Sequence, residues 1–313
     1  MDHCKLTASI TALANALAFL TVVLFLIFAL MSLAPGDPGT AILGTSATAE
    51  ERQAFNESVG FYDPFFVRYG RFLKDFLRGS FGQSYSTKQD VMTEIAERLP
   101  TSLKVATYAM GFAIIVGIPM GVFSAVKQYS AADHILRVVS VTLAAAPGFW
   151  LALMLILLFS IKLKWLPTYG DETWQHFILP MLALGFPYSA RQMRVTRSLM
   201  LETIRMDYIR TVRAKGAPEQ QVIWQHAFKN ALLPILNQVA SNFSALIGGA
   251  VLTESVFAMP GLGAYLTTAV NNKNVNSALG ATVVMSLIFS LVMLAVDMLF
   301  AVIDPRIKAR YKA

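Results

Sequence analysis

The sequence has few of the residues that cover the surface of a soluble protein, and it lacks several components of metal and nucleotide sites. Only 14% of its 313 residues are charged and 55% are hydrophobic, whereas charged residues make up about a quarter of typical soluble domains. Its single cysteine, Cys4, excludes an intrachain disulfide and a site built from several cysteines. The absence of a Gly-Lys dipeptide excludes a phosphate-binding P-loop. The composition therefore indicates a protein whose main solvent is lipid.

Long runs of the sequence contain no charged residue, and each could form a helix that crosses roughly 30 Å of hydrocarbon. They cover Leu6–Asp37, which Asp37 closes, and then Val105–Val126, Val138–Ile161, Thr173–Ala190, Asn230–Thr253 and Asn274–Val296. A closed β-barrel would instead show alternating segments of about ten residues. The first run is longer than a signal-peptide core, so we interpret it as a spanning helix rather than a cleaved signal. The pattern predicts an all-α integral membrane protein with six transmembrane helices.

Basic residues are distributed unevenly between the two sides that six such helices would create. One side holds Lys5, Lys127, Arg137, eight basic residues from Arg191 to Lys229, and Arg306, Lys308, Arg310 and Lys312. The short loops of the other side hold Lys162, Lys164 and Lys273. Because cytoplasmic loops are enriched in lysine and arginine, this asymmetry predicts a multi-pass protein with both termini in the cytoplasm. The net charge of +7 then reflects topology, and we expect no nucleic-acid partner.

These boundaries predict four parts. Residues 1–34 form a cytoplasmic N-terminus and transmembrane helix 1, 35–100 an external loop domain, 101–304 a five-helix core, and 305–313 a cytoplasmic tail. Helices 2 to 6 are predicted at 102–126, 136–161, 176–198, 232–256 and 279–303. Within them we expect four internal prolines and five glycines at close helix contacts: Pro119, Pro147, Pro180, Pro187, Gly111, Gly117, Gly121, Gly248 and Gly249.

The predicted external loop domain carries the signals of short amphipathic helices. Thr48 and Glu51 have the spacing of a capping box. Asp63 and Pro64 open a further helix that Gly79 ends. We expect one apolar face on that helix, made of Phe65, Tyr69, Phe72, Phe76 and Leu77.

The loop between predicted helices 4 and 5 is long, basic and patterned. We expect helix 4 to continue to Lys215, Gly216 to stop it, and Pro218 to begin a short amphipathic helix. The predicted apolar stripe of this helix is Ile223, Ala227 and Ala231 beside Trp224, Phe228 and Leu232, opposite Gln221, Gln225 and Lys229. Such a helix fits either docking to another protein or lying on the membrane surface.

This loop resembles the one that bacterial ABC importer permeases of the dipeptide, oligopeptide and nickel family insert into a cleft of their ATPase subunit. The resemblance extends along the whole chain through Pro35–Pro38, Asp63-Pro64 with Tyr69, Gly79–Gly82, Trp165–Pro167, Arg210–Gly216, His226-Ala227, Asn230–Leu232 with Pro234, Pro260–Gly263 and Asp304–Arg306. Two positions depart from the family pattern. Arg210-Thr211-Val212 stands where the generic loop has Glu-Ala-Ala, and Lys229 where relatives commonly have arginine.

The resemblance implies a type I ABC importer permease fold in the bacterial inner membrane, without an ATPase site of its own. It implies a second homologous permease subunit, two ATPase subunits that bind ATP and Mg, an external solute-binding protein and membrane lipid as partners. It implies no cofactor in this chain. We name residues 205–231 the coupling segment. Its implied ATPase-coupling residues are Arg210, Arg213, Ala214, Lys215, Gly216, Ala217, Pro218, Glu219, His226 and Asn230.

The implied cargo is a di- or oligopeptide delivered by the binding protein, and nickel or a metal chelate is the alternative. An ion-coupled secondary transporter is a more distant alternative, and it would require charges and inverted repeats near the membrane midplane. Glu254 and Asp297 are the two ionisable residues that we place inside the membrane. We expect Glu254 to contact outer-loop groups and Asp297 to reach the inner surface, and we expect no catalytic or metal site.

Overall fold

The computed structural model describes residues 21–44 and 46–303, with the exception of the side chains at 244, 247 and 293–303. The predictions for Cys4, for the Asp297 side chain and for the tail at 305–313 lie outside the described residues. The described helices are α1 (Thr21–Leu33), α2 (Pro38–Leu43), α3 (Ala49–Ser58), α4 (Phe65–Leu77), α5 (Val91–Val126), α6 (Ala131–Ala145), α7 (Gly148–Leu155), α8 (Ile178–Ile204), α9 (Asp207–Ala214), α10 (Glu219–Gln221), α11 (Lys229–Val256), α12 (Leu262–Asn271) and α13 (Val275–Ile303).

The chain forms two compact units. Of the described residues, unit 1 comprises those up to 100 and 261–288, and unit 2 comprises 101–260 and 289–303. Short π-helical segments at Ile156–Lys162 and Val222–Phe228 extend α7 and join α10 to α11 in unit 2.

Unit 1 has an aromatic core. Phe28 of α1 packs edge-on against Phe65 and Tyr69 of α4, with ring centroids 5.3 Å and 5.2 Å apart. Phe72 is buried on the same face. Leu77 was expected there, and that prediction is wrong: the residue is 83% exposed. Consecutive helical residues point about 100° apart, so Leu77 cannot share the direction of its neighbour Phe76.

The predicted local signals of unit 1 are confirmed. The Thr48 hydroxyl accepts a hydrogen bond from the Glu51 backbone N–H, and the Glu51 carboxylate accepts one from the Thr48 N–H. Gly79 follows α4 with a φ of +78°, a left-handed conformation that glycine adopts without steric cost. These contacts set where α3 begins and where α4 ends.

Unit 2 is built on the close crossing of α5 and α8. A Cβ atom added at Gly117 would lie 2.7 Å from the Ser189 carbonyl oxygen, and one at Gly121 would lie 2.7 Å from the Met193 carbonyl oxygen. Their spacing of four residues puts both glycines on one helix face, as in membrane helix pairs that pack backbone to backbone. Added Cβ atoms at Gly111 and Gly248 meet no atom within 4 Å of the described chain, so the close contacts predicted there are wrong.

Two predicted continuous helices are broken in the structure. Predicted helix 3 divides into α6 and α7, which are bent by 103° around Pro147, because proline lacks the N–H that would continue the helix. Predicted helix 4 ends at Ile204 and not at Lys215. Met206 has an extended backbone (φ −68°, ψ 148°) and separates α8 from α9.

Several described helices meet the length and hydropathy of a membrane span. They are α5 and the Val275–Val292 part of α13, and the number reaches four if each of two bent pairs counts as one span. The pairs are Ala131–Ala145 with Gly148–Lys162, and Glu219–Phe243 with Gly248–Val256. Helices α5, α11 and α13 also begin earlier than predicted, at Val91, Lys229 and Val275.

Candidate functional site

The coupling segment contains the predicted stop and restart of the helix. Gly216 has a φ of +80° and donates its N–H to the Arg213 carbonyl oxygen at 3.0 Å. Pro218 directly precedes α10 with an extended backbone. The pattern Gly216 followed by Pro218 was therefore interpreted correctly: a left-handed glycine ends one helix, and proline begins the next.

An ion pair closes this turn. The Arg213 guanidinium donates from Nε to Glu219 Oε2 at 3.0 Å and from Nη2 to Oε1 at 2.5 Å. These hydrogen bonds hold the pKa of the Glu219 carboxyl below its usual value. The sequence-based interpretation treated both residues as contacts for another subunit and missed that they bind each other. Ion pairs within a helix are recognised from spacings of three or four residues. A spacing of six residues across a glycine turn does not predict a pair.

The inner face of the segment is firmly packed. One buried cluster joins five side chains of the segment to Val122, Ala125 and Met200 of α5 and α8 and to Ile235 of α11. The five are Ile209, Val222, Ile223, Ala227 and Ala231. The apolar stripe was predicted to include Trp224, but this side chain is 48% exposed and meets the Phe228 ring edge-on at 5.3 Å. The π-helical turn explains the difference, because its wider winding brings Val222 into the buried face and turns Trp224 outward.

The outer face contains most of the residues that the resemblance implies. Ala214, Lys215, Gly216, Pro218 and Asn230 are exposed, and Ala217 and His226 are partly buried. Arg210 lies 3.5 Å from Asp207, but both side chains are largely in solvent, so this pair contributes little. Asn230 Nδ2 donates to the His226 carbonyl oxygen at 2.7 Å. The surface thus combines an exposed tryptophan, basic side chains and a rigid entry turn.

A buried ion pair that the sequence analysis missed fastens the helices next to this segment. Arg197 of α8 donates from Nε and Nη2 to Asp133 of α6 at 2.8 Å and 2.9 Å. The Ser124 hydroxyl of α5 donates to the same carboxylate. The Asp133 side chain is fully buried. The sequence around Asp133 indicates only a helix start, because Ser130 caps α6 by accepting a hydrogen bond from the Asp133 N–H. It does not indicate the ion-pair partner Arg197, which lies 64 positions away.

A second buried acid lies in unit 1 and was also missed. Glu94 is 1% exposed and accepts a hydrogen bond from the Tyr265 hydroxyl at 2.8 Å. The Arg98 guanidinium lies 4.6 Å from the centre of the Tyr265 ring. In unit 2, Glu254 is also 1% exposed, whereas the Asp297 side chain lies outside the described residues. Within the described part of the chain, no three His, Cys, Asp or Glu side chains are placed to hold a metal ion.

Several apolar helices of spanning length define a multi-pass membrane protein, and α8 and α11 are joined by an exposed basic segment. Sequence comparison identifies the family. The pattern of the "Binding-protein-dependent transport system inner membrane component" family matches residues 117–309, and that of its N-terminal region matches residues 8–106. The chain belongs to this family of ABC importer permeases, in which separate subunits hydrolyse ATP. It is therefore a multi-pass protein of the bacterial inner membrane.

Curated relatives cover nearly the whole chain. The dipeptide transport system permease protein DppB of Alkalihalophilus pseudofirmus is 38% identical, over 90% of this chain and 93% of its own length. The glutathione transport system permease protein GsiC of Salmonella paratyphi A is 36% identical, over 94% and 95%. Family membership excludes the ion-coupled secondary transporter alternative.

Solved structures support the same fold. The inward-facing MetNI methionine ABC transporter matches with a TM-score of 0.58 at 18% identity, over 68% of this chain and 97% of that one. An amino acid ABC transporter crystallised with histidines matches with a TM-score of 0.51 at 16% identity, over 69% and 94%. At this identity the match concerns the fold alone, which is the permease fold of ABC importers.

Proposed function

We propose that this chain forms one half of the translocation path of an importer for short peptides. The proposal rests on the names of two relatives, one a dipeptide and the other a glutathione transport permease. Glutathione is itself a short peptide. The second half would be a homologous permease, and a solute-binding protein would deliver the peptide from outside. Nickel was the alternative cargo; no described residue favours it, and the peptide is the cargo that we propose.

The proposed topology has six spans with both termini in the cytoplasm. Helix α5, the bent pairs and α13 would provide four spans. Helix α1 and the charge-free first half of α8, up to Ala190, would provide the other two. In this arrangement residues 35–100 form an external domain, 101–304 form the core, and the coupling segment lies on the cytoplasmic side among the basic residues.

The coupling segment is proposed to dock on an ATPase subunit. Trp224 carries this proposal, because at 48% it is the most exposed of the large apolar side chains described in the segment. Tryptophan buried at a protein interface often dominates the binding energy. The proposed contact surface comprises Trp224 and the implied residues Arg210, Arg213, Ala214, Lys215, Gly216, Ala217, Pro218, Glu219, His226 and Asn230.

Co-purification and uptake test both parts of the proposal. The permease pair would be expressed with its ATPases and binding protein and assayed for uptake of a labelled dipeptide. We expect Trp224→Ala to lower ATPase co-purification and uptake at least tenfold. A matched control is Trp174→Ala, since Trp174 is 71% exposed in the loop before α8. Normal co-purification by Trp224→Ala would contradict the docking proposal, and ATP-dependent uptake of nickel without peptide uptake would contradict the cargo.

A further inference from the structure

Unit 1 contains a cavity of about 320 Å³ that has no part in the ATPase docking proposed above. Side chains of α1, α4, the loop after α4 and the first residues of α13 line it. This volume lies at the lower end of the range of about 300–1,000 Å³ typical of small-molecule sites. A ligand of a few linked residues would fill it.

One part of the cavity wall is apolar. Phe28, Phe72 and Phe81 line it, and they are 2%, 5% and 7% exposed. Their rings are held in the aromatic core of unit 1, so this wall is rigid. It offers a surface for an apolar or aromatic side chain of a ligand.

Cations occupy another part of the wall. The Arg68 guanidinium lies between the Phe28 and Phe61 rings, 5.6 Å and 5.4 Å from their centres, and donates one hydrogen bond to the Phe61 carbonyl oxygen. The Lys88 ammonium lies 4.8 Å from the centre of the Phe55 ring. Within the described chain, neither cation forms an ion pair. Both therefore retain donors for an anion.

A carboxylate faces the same cavity. Asp75 lines it, and among the described residues its carboxylate has no ion-pair partner within 4.0 Å. Arg71 also lines the cavity, but it is engaged with Asp63 at 2.7 Å. Charges of both signs thus line the same partly open cavity without forming an ion pair with each other. A ligand that carries both charges would satisfy them together.

We propose that this cavity binds a short peptide through its two free termini. Asp75 would accept the α-ammonium group, Arg68 and Lys88 would bind the α-carboxylate, and the phenylalanine wall would hold an apolar side chain. The choice of a peptide over another zwitterion rests on the proposed function. The site would be a binding site of the permease itself, in addition to that of the solute-binding protein.

Tyr85 supplies a neutral donor at this site. Burial raises the pKa of its phenol, and the nearby Arg68 and Arg71 only partly oppose this effect. The hydroxyl therefore keeps its proton at physiological pH and can donate to a bound carboxylate. Two cations and a phenol would then surround the anionic end of the ligand.

Binding of alanyl-phenylalanine to the purified full-length chain in lipid nanodiscs, without the binding protein, tests this proposal. N-acetyl-alanyl-phenylalanine and alanyl-phenylalanine amide each remove one terminal charge. We expect each block to weaken binding at least tenfold, because hydrogen bonds to charged groups are among the stronger ones. Equal binding of the blocked and free peptides would overturn the proposal.

Two variants assign the termini. Asp75→Asn should weaken binding of the free peptide about tenfold or more, and this variant should bind the free and the acetylated peptide equally. Lys88→Gln should reduce the difference in affinity between the free peptide and the peptide amide. Glu50→Gln and Lys74→Gln change exposed charges outside the cavity lining and serve as matched controls. Equal thermal unfolding temperatures would establish that each variant is folded. If Asp75→Asn retained the discrimination against acetylation, the assignment of the ammonium group would be wrong.

Uptake separates this proposal from the function on which it rests. Normal uptake by the complete transporter, combined with no peptide binding by the permease alone, would overturn the cavity site and leave the proposed function supported. Binding to the permease without peptide uptake by the complex would contradict the proposed function and support the cavity site.

Discussion

Arg213 and Glu219 bind each other across the turn at Gly216, through contacts of 3.0 Å and 2.5 Å. This pair and the left-handed glycine together define the angle at which α10 leaves α9. Below this turn, Ile209 and Val222 are completely buried. The turn is therefore positioned by the core of unit 2 and stiffened at its exposed end, as a segment that transmits force would require.

Gly216→Val should distort the turn and abolish uptake. An added Cβ meets no atom within 4 Å, so the cost arises from the backbone, since a β-branched residue at a φ of +80° loses about 1–2 kcal/mol. We expect normal membrane abundance with loss of ATPase co-purification. Gly216→Asn is the matched control, because asparagine tolerates this conformation. Normal uptake by the valine variant would show that the segment is only a connector.

Reversing Arg213 or Glu219 alone should reduce uptake only partly. Exposed ion pairs contribute about 0–1 kcal/mol, and these side chains are 39% and 57% exposed. Arg213→Glu or Glu219→Arg should each lower coupled ATPase activity a few-fold. The double variant, which exchanges the charges, should recover part of that loss. If it is as impaired as the worse single variant, each residue acts on the ATPase separately and not through this pair.

The Glu219 carboxyl should titrate below its ordinary pKa of 4.5 because of the Arg213 hydrogen bonds. Since the folded-state pKa is lowered, the stability from this contact is fully present above the ordinary value. This contribution to stability is lost as the pH falls through the lowered pKa of the folded state. Carboxyl NMR of labelled protein would measure this pKa, and Arg213→Gln should raise it. An unchanged value in that variant would contradict the contact.

Breaking the Asp133–Arg197 pair should destabilise unit 2 strongly. Removal of one partner from a buried pair costs about 3–5 kcal/mol, because the other charge stays buried. Arg197→Met should therefore lower the unfolding temperature in nanodiscs. Arg194→Met, an exposed position of α8, is the control and should have little effect. The double variant Asp133→Leu/Arg197→Leu should be more stable than Arg197→Met, because it leaves no buried charge without its partner. If Arg197→Met were as stable as the wild type, the Asp133–Arg197 pair would not stabilise unit 2.

The proposed topology predicts labelling from opposite sides of the membrane. Cysteines at Ser58 and Gln220, which are both exposed, would be introduced after replacing Cys4 with serine. An impermeant thiol reagent should label position 58 in intact spheroplasts and position 220 only in inverted vesicles. Labelling of both from one side would require a different number of spans between them.

Local sequence signals alone determined the membrane class of this protein, several helix ends and its family. The charge-free runs indicated a membrane protein because burial of a charge in lipid is costly. The Thr48 capping box, the left-handed Gly216 and the start of α10 after Pro218 were predicted because neighbouring residues alone satisfy those backbone groups. The motifs of the coupling segment pointed to the family, and the further motifs that match it extend along most of the chain.

Only the tertiary structure decided the rest. The break at Pro147 and the outward turn of Trp224 depend on helix geometry that apolar spacing does not specify. The Asp133–Arg197 pair joins positions 64 apart, and the cavity in unit 1 gathers Arg68, Asp75 and Lys88 around one space. Such contacts follow from how separate elements pack, because the energy of a buried charge depends on partners that lie far away in the sequence.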